Sequence, residues 1–120
     1  MAAGDTLLIG DGEYAENSSG TLGYLRIVKT HASLVTTIAG ENGASSNVTI
    51  VGSTSSTANC LLHNSNRITF RYLKFKNRLA AQVAAFRCVS ACSYIRFEYC
   101  TFVQVGDGSS FTNGLLCDPD

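Results

Sequence analysis

Short segments in which apolar and polar residues alternate recur along the chain and predict β-strands. In three of them the apolar side chains are expected to face inward and the polar ones outward: Val48-Thr49-Ile50, Ile68-Thr69-Phe70 and Ile95-Arg96-Phe97. A side-chain period of two is that of a strand with one buried face. Turn-forming residues cluster between segments at 40–43, 52–56, 64–66 and 106–110, so the strands are expected to be short.

One segment departs from this alternation. Residues 78–86 are rich in alanine, and Leu79, Val83 and Phe86 follow one another at near-helical spacing. This pattern predicts either one short helix or a long loop inserted between two strands.

The alternating segments also repeat one another. At a step of 27 residues, four residues meet the same residue type: Ile68 and Ile95, Phe70 and Phe97, Tyr72 and Tyr99, Phe75 and Phe102. The same step carries 61–62 to 88–89 and then to 115–116. Upstream the expected step is 20 between 48–50 and 68–70, and 23 between 25–27 and 48–50. A varying step indicates short strands on a constant frame, joined by loops of different length.

A stack of coils explains this repetition, whereas a sandwich does not require matched residues at matched positions. In a parallel β-helix each coil pairs with the coil below at a spacing of about 4.8 Å, so like residues form ladders. The expected ladders are Phe70 over Phe97, Phe75 over Phe102 and Asn77 over Gln104. The main rival, a leucine-rich repeat, needs a fixed Leu-x-x-Leu-x-Leu frame that the chain lacks. At about 24 residues per coil, the 120 residues predict one all-β domain, 1–120, of about five coils.

Three segments resemble coils of a known family. Residues 3–14 (AGDTLLIGDGEY), 47–52 (NVTIVG) and 66–77 (NRITFRYLKFKN) are similar to coils of the pectin lyase-like superfamily of right-handed parallel β-helix proteins. The resemblance spans nearly the whole chain and implies the right-handed form of the coil. It also implies an extracellular or surface protein, since the superfamily includes pectate, pectin and alginate lyases, polygalacturonases, phage tailspikes and adhesins. Because the fold hosts many activities, the resemblance does not choose among them.

Composition and charge narrow the class of protein. Charged residues make up 15% of the chain and the formal net charge is +0. The low charge content argues against a disordered chain, and the balance argues against a nucleic-acid binder, which is usually basic. No apolar run approaches the ~18 residues of a membrane-spanning helix, and no signal peptide is recognised at the start. We therefore expect neither nucleic acid nor membrane as a partner.

Positive charge is nevertheless concentrated in one part of the chain, because residues 67–96 contain seven basic residues and no acidic one. With the expected alternation, four of these lie on the outer face as substrate-binding candidates: Arg71, Lys74, Lys76 and Arg96. Such a strip beside tyrosines suits an acidic polysaccharide, since Arg and Lys pair with uronate carboxylates and aromatic faces cover sugar rings. The alternative is an ordinary solvated face on which Arg71 pairs with Glu98 of the next coil.

Catalysis would need further groups. A lyase, as the resemblance implies, uses a basic residue near C5 of the uronate and often Ca²⁺ held by clustered acids. Basic candidates are present, but an acidic cluster at one-coil spacing is not. Asp11 and Glu13 are expected in a turn, and Asp118 with Asp120 would serve an inverting hydrolase only as carboxylates ~6.5–9.5 Å apart. No catalytic residue or cofactor is assigned, and Ca²⁺ is the candidate ion only if the chain is lyase-like.

The chain has five cysteines: Cys60, Cys88, Cys92, Cys100 and Cys117. An odd and sparse set is not that of a disulfide scaffold. Cys88 and Cys92 are spaced more loosely than a usual zinc pair, and His31 and His63 lie far off in the sequence, so a structural zinc site is not expected. The cysteines are interpreted mainly as small buried apolar residues, with a disulfide left open. His63 is expected at a turn and His31 in a loop.

Two functional hypotheses follow from the sequence. The first is a polysaccharide-binding or polysaccharide-processing module of pectin lyase-like type, from a surface or tailspike-like protein; as an enzyme it would be a polysaccharide lyase or glycoside hydrolase. The second is a non-catalytic structural unit that stacks end to end into an oligomer or filament. Open coil ends expose unpaired strand edges, and solenoids normally carry caps. Either the ends pair with other copies, or the chain is a segment of a longer protein.

Overall fold

The computed structural model describes residues 2–15, 25–27, 30–45, 47–51, 60–76, 84–89, 91–103 and 113–118. This part of the chain is all-β, with twelve strands and no helix. The strands are β1 (Thr6–Ile9), β2 (Gly12–Ala15), β3 (Leu25–Ile27), β4 (Thr36–Gly40), β5 (Val48–Val51), β6 (Cys60–His63), β7 (Asn66–Arg71), β8 (Lys74–Lys76), β9 (Ala84–Val89), β10 (Ser93–Glu98), β11 (Thr101–Val103) and β12 (Asn113–Asp118). Strands β3, β6 and β12 are described by their backbone alone.

The strands form three four-stranded sheets in which every neighbouring pair is parallel. Sheet 1 has the order β1-β4-β7-β10, sheet 2 the order β2-β5-β8-β11 and sheet 3 the order β3-β6-β9-β12. Along the chain the strands therefore enter sheets 1, 2 and 3 in turn, and the described residues make four such passes. Each pass adds one strand to every sheet, so the three sheets grow together in one direction.

One hydrophobic cluster takes side chains from all three sheets. Phe70 of sheet 1, Phe75 of sheet 2 and Phe86 of sheet 3 are fully buried and meet edge to face. Their ring centroids are 5.8 Å apart for Phe70 and Phe75, 5.2 Å for Phe70 and Phe86, and 4.9 Å for Phe75 and Phe86. Edge-to-face contact is a favoured geometry for aromatic rings because their faces are negative and their edges positive.

The step of 27 residues is confirmed for the last two passes. Ile95 pairs with Ile68 and Phe97 with Phe70, while Phe102 pairs with Phe75 in sheet 2. The predicted aromatic ladders are present: the Phe70 and Phe97 ring centroids are 5.2 Å apart at an interplanar angle of 14°. The rings of Phe75 and Phe102 are 5.6 Å apart at 22°.

The shorter upstream steps are wrong. Strand β7 pairs with β4, which places Ile38 beside Phe70, and β5 pairs with β8, which places Ile50 beside Phe75. Strand β3 pairs with β6 rather than with β5. The triplets at 25–27, 48–50 and 68–70 lie in three different sheets, because the same alternation of apolar and polar residues serves a strand in any of them.

In sheet 3 the predicted register is off by one residue and the predicted helix is partly contradicted. Leu62 pairs with Cys88, and Leu116 pairs with Arg87. Residues 84–86 belong to strand β9, although their alanine content favours a helix. Burial of Phe86 against the other two phenylalanines outweighs this weak intrinsic preference. Residues 77–83 lie outside the described part of the chain.

Most of the predicted inward and outward faces are confirmed. Val48, Ile50, Ile68 and Phe70 are buried, and Arg96 is exposed. Thr49 was expected to face outward but is buried. It pairs with Glu13 on one side and Lys74 on the other, and their longer side chains flank it. The turn at 40–43 begins where β4 ends. The turns at 52–56 and 106–110 and the Asn77/Gln104 ladder lie outside the described residues.

Candidate ligand-binding corner

Two stacked two-residue turns carry the chain from sheet 1 to sheet 2. Tyr72 and Leu73 join β7 to β8, and Tyr99 and Cys100 join β10 to β11. The turns are held to one another by the backbone, since Tyr72 N donates to Glu98 O at 3.1 Å and Thr101 N donates to Leu73 O at 2.9 Å. We call this feature the Tyr72/Tyr99 corner; it comprises residues 71–74 and 98–101.

Both tyrosines adopt a backbone conformation that is unfavourable for them. Their φ angles are +55° at Tyr72 and +53° at Tyr99, in the left-handed region that costs a residue with a Cβ about 1–2 kcal/mol. Glycine or asparagine would form the same turn at lower cost. The rings stack with centroids 5.1 Å apart at 6°, which offsets part of the cost, about 0.5–1.5 kcal/mol.

A glycine beneath the corner allows the chain to turn so tightly. Ala39 pairs with Arg71, so the next residue, Gly40, lies under Tyr72. A Cβ at Gly40 would stand 2.4 Å from the Tyr72 carbonyl oxygen, a distance at which backbone would have to move. Only glycine permits this close approach of two backbone segments.

Arg71 extends the aromatic surface of the corner. Its guanidinium carbon Cζ lies 5.1 Å from the centroid of the Tyr72 ring, and its Nη2 is 3.5 Å from the Tyr72 hydroxyl. This is a cation–π contact on an outer surface, which contributes about 0.5–1 kcal/mol. Arg71 therefore supports the ring of Tyr72 as well as carrying charge.

Glu98 draws together two of the four predicted binding residues. Its Oε2 lies 2.7 Å from Arg71 Nε, and its Oε1 lies 2.8 Å from Arg96 Nε. The Arg71 Nε–H does not point at the oxygen, so the closer contact is an ion pair without an aligned hydrogen bond. The Arg71–Glu98 pair predicted as the alternative arrangement is present. One carboxylate between two guanidinium groups leaves one positive charge in excess.

Lys74 and Lys76, the other two predicted residues, lie on the adjacent sheet. Phe75 between them is buried while both lysines are partly exposed, so they point outward from β8. In sheet 2 Lys74 lies between Thr49 and Thr101, and none of the described acids forms an ion pair with either lysine. Lys74 begins at the corner, and Lys76 lies about 6–7 Å farther along the strand.

A second tyrosine with a cation occupies the opposite end of the same two strands. Arg67 and Tyr94 both have positive φ, +54° and +53°, and the Arg67 Cζ lies 4.5 Å from the centroid of the Tyr94 ring. The sequence analysis did not identify this pair. Its signal was available, because 67 and 94 are separated by the same 27 residues as Tyr72 and Tyr99.

Cys100 lies directly beneath the corner. Its Sγ donates to the carbonyl oxygens of Phe70 at 3.4 Å and Glu98 at 3.5 Å. Burial raises the pKa of the Cys100 thiol above its usual 9.0, against the smaller lowering effect of backbone hydrogen bonds. The group is therefore a protonated thiol at neutral pH. Cys88 is buried in the core, whereas the side chains of Cys60 and Cys117 lie outside what is described.

The remaining candidate groups do not come together. His31 has the predicted loop role: its Nδ1 accepts from the backbone N–H of Ser33 at 3.0 Å and of Leu34 at 2.9 Å. Glu13 lies in β2 and not in the turn expected for it. His63 ends β6 and Asp118 ends β12, both known only by their backbone, and Asp120 is outside the described residues.

Metal and membrane sites were searched within the described residues. No three His, Cys, Asp or Glu side chains there lie close enough together to hold a metal ion. Within the same residues, no helix of sufficient length and apolar character to cross a membrane is present.

No family model matches this chain, and neither a curated protein nor a solved structure matches it. Any function therefore rests on the geometry and charge of its own residues.

Proposed function

We propose that the chain is a right-handed parallel β-helix module of pectin lyase-like type that binds an acidic polysaccharide at the Tyr72/Tyr99 corner. The β-helix is supported by the cyclic order of the strands through three parallel sheets and by the aromatic ladders between passes. The four passes of the described residues compare with about five expected from the sequence. Right-handedness comes from the resemblance of the three sequence segments.

The observation that carries the proposal is an excess of positive charge beside an exposed, rigidly held aromatic ring. Tyr99 is 70% exposed although it stacks on Tyr72. One face of its ring is covered by the tyrosine below, which leaves the other face for a ligand. Lys74 and the excess charge of the Arg71–Glu98–Arg96 group lie on either side of the corner.

This combination suits a sugar acid. A uronate carboxylate pairs with Lys or Arg through charge-assisted hydrogen bonds, and the apolar face of a sugar ring packs on an aromatic face. The tyrosine needs no rearrangement on binding, because its backbone is already held by the stacked turns. A pre-organised group loses less conformational entropy when a ligand arrives, which favours affinity.

The use of tyrosine at two left-handed positions supports the same conclusion. A turn selected for stability alone would carry glycine or asparagine, which avoid the backbone cost. Strained residues that persist in a fold are often those whose side chains serve a function. At this corner the side chain that the strain retains is a ring facing solvent.

The test is calorimetric titration of the 120-residue chain with polygalacturonate and, as a neutral comparison, dextran. We expect binding to polygalacturonate alone, weakening as salt rises, because exposed charges are screened within about 10 Å at 0.1 M ionic strength. Lys74→Ala and Tyr99→Ala should each weaken binding about tenfold, which corresponds to about 1.4 kcal/mol for one lost contact.

Arg67→Ala is the matched control, since it removes the same charge about 13 Å away at the far end of β7. It should change affinity by less than about threefold. Equal losses in Arg67→Ala and Lys74→Ala would indicate a general charge effect and contradict a site at the corner. No binding to any uronate polymer would reject the proposal, and new reducing or unsaturated ends during long incubation would extend it from binding to processing.

A further inference from the structure

The two edges of sheet 1 differ from its interior in what they expose. Strand β1 forms one edge and β10 the other. On β1, Leu7 is 42% exposed and Leu8 59% exposed. An edge strand offers backbone N–H and C=O groups to a further strand, and apolar side chains on it favour such pairing. The edge at β1 therefore has the properties of a pairing surface.

The inward column of sheet 1 is apolar from one edge to the other. Leu7 pairs with Ile38, Ile38 with Phe70, and Phe70 with Phe97. The two middle members are fully buried, whereas Leu7 and Phe97 at the ends are only partly covered. A strand added at either edge would complete the burial of an end member.

Sheet 2 repeats this arrangement beside it. Its inward column runs from Tyr14 through Ile50 and Phe75 to Phe102. Again the middle members are buried and the end members partly exposed. Both sheets have the strand spacing of about 4.8 Å common to all parallel sheets, so one edge can meet the other in both sheets at once.

The two ends of the described stack also carry opposite charge. Residues 2–15, which form the first pass as far as β2, contain three acids and no base: Asp5, Asp11 and Glu13. The described residues of the last two passes contain five basic residues and one acid: Arg67, Arg71, Lys74, Lys76, Arg96 and Glu98. Contact between unlike ends is attractive, whereas contact between two β1 edges would bring the acids together.

We propose that copies of this chain associate head to tail, with β10 of one copy pairing in parallel with β1 of the next. Continuing the internal register sets Leu7 of the second copy beside Phe97 of the first, and Thr6 beside Arg96. In sheet 2 the same contact sets Tyr14 beside Phe102. The occupant of the exposed β1 edge is a second copy, because only this chain is shown to carry the matching columns and the opposite charge. This association needs no ligand and is independent of the proposed binding function.

The test measures mass by light scattering after size exclusion, from about 1 µM to about 1 mM, which brackets association free energies of about −8 to −4 kcal/mol. We expect the average mass to rise with concentration. Leu8→Lys should raise the dissociation constant at least about tenfold, since a charged edge residue disfavours strand addition. Thr37→Lys, the same charge one strand inside the edge, should change it less than about threefold.

A mixing experiment tests the direction of pairing. Arg96→Glu alters the β10 edge and should weaken association by itself, while an equimolar mixture with Leu8→Lys should form one-to-one dimers through the two unaltered edges. Melting curves check that each variant folds, and Leu8→Ser and Arg96→Ser replace any that does not. A monomer at every concentration overturns the proposal. So does full association of Arg96→Glu alone, which would indicate pairing of two β1 edges.

Discussion

Strands β7 and β1 belong to the same sheet, and their inward residues Phe70 and Leu7 lie in the same column. Phe70 is fully buried, whereas Leu7 is 42% exposed. The difference does not lie in hydrophobicity, since both residues are large and apolar. Phe70 has a paired strand on each side, and Leu7 has one on a single side. In a stack of this kind, burial depends on the neighbouring passes as much as on the pattern of the strand itself.

The largest expected difference between these regions is in the core. Phe70→Ala should lower the free energy of unfolding by about 3–5 kcal/mol, because it removes a ring in contact with three other phenylalanines. Leu7→Ala should cost about 1 kcal/mol or less, since much of its side chain is already in water. Urea denaturation of both variants measures this. Equal losses would mean that the exposed edge is covered in solution.

Glycines give the next largest contrast. Gly40→Ala places a Cβ against the Tyr72 carbonyl and should cost about 1–3 kcal/mol, as overpacking does elsewhere. Gly10→Ala at the outer pass meets only ordinary contacts of 3.6 Å or more and should stay within about 0.5 kcal/mol of the parent. Thermal and urea unfolding compare the two. A tolerated alanine at Gly40 would contradict the close approach beneath the corner.

A smaller contrast is expected between two carboxylates. Glu98→Gln leaves two guanidinium groups facing each other and should cost about 1 kcal/mol at low salt, with the loss narrowing at high salt. Glu13→Gln, on the exposed edge strand β2, should have an effect near zero. Unfolding at two ionic strengths measures both. A salt-independent loss in Glu98→Gln would point to packing and not to charge.

The smallest effect concerns the thiol beneath the corner. Burial raises the pKa of Cys100 in the folded chain above its ordinary 9.0, so the unfolded chain releases this proton first as pH rises. The contribution to stability is complete below pH 9.0 and is lost as pH rises through the folded pKa. The stability of wild type relative to Cys100→Ala should therefore fall from neutral to alkaline pH. A constant difference would contradict the burial of this thiol.

The last two passes were the most predictable part of the fold. Because β7 and β10 are joined to their following strands by turns of equal length, identical residues fall 27 apart, and Phe70 and Phe97 reveal the ladder. Further upstream, paired residues are 31 or 32 apart, as with Thr6 and Thr37 or Ile38 and Phe70. Those strands have no shared aromatic residues to mark the step, so alternation alone matched triplets from different sheets.

The candidate site was predictable to a similar extent. The 27-residue step placed Glu98 beside Arg71, and alternation placed Arg96 on the same face. It did not indicate that Glu98 would hold both arginines, since that depends on side-chain reach across two strands. The pairing of Arg67 with Tyr94 follows the same step and was overlooked because no apolar residue marks it.

The sequence by itself determined which faces of the strands are apolar, the ladder between the last two passes and the concentration of positive charge near Tyr72. These are local patterns, and the period of two along a strand is a consequence of backbone geometry. Only the tertiary structure decided which sheet each strand joins, that the alanine-rich residues before Phe86 form a strand, and that Tyr72 and Tyr99 take left-handed conformations. Each of these is unfavourable or undetermined locally, and each is set by contacts between residues distant in sequence, whose packing outweighs the local preference.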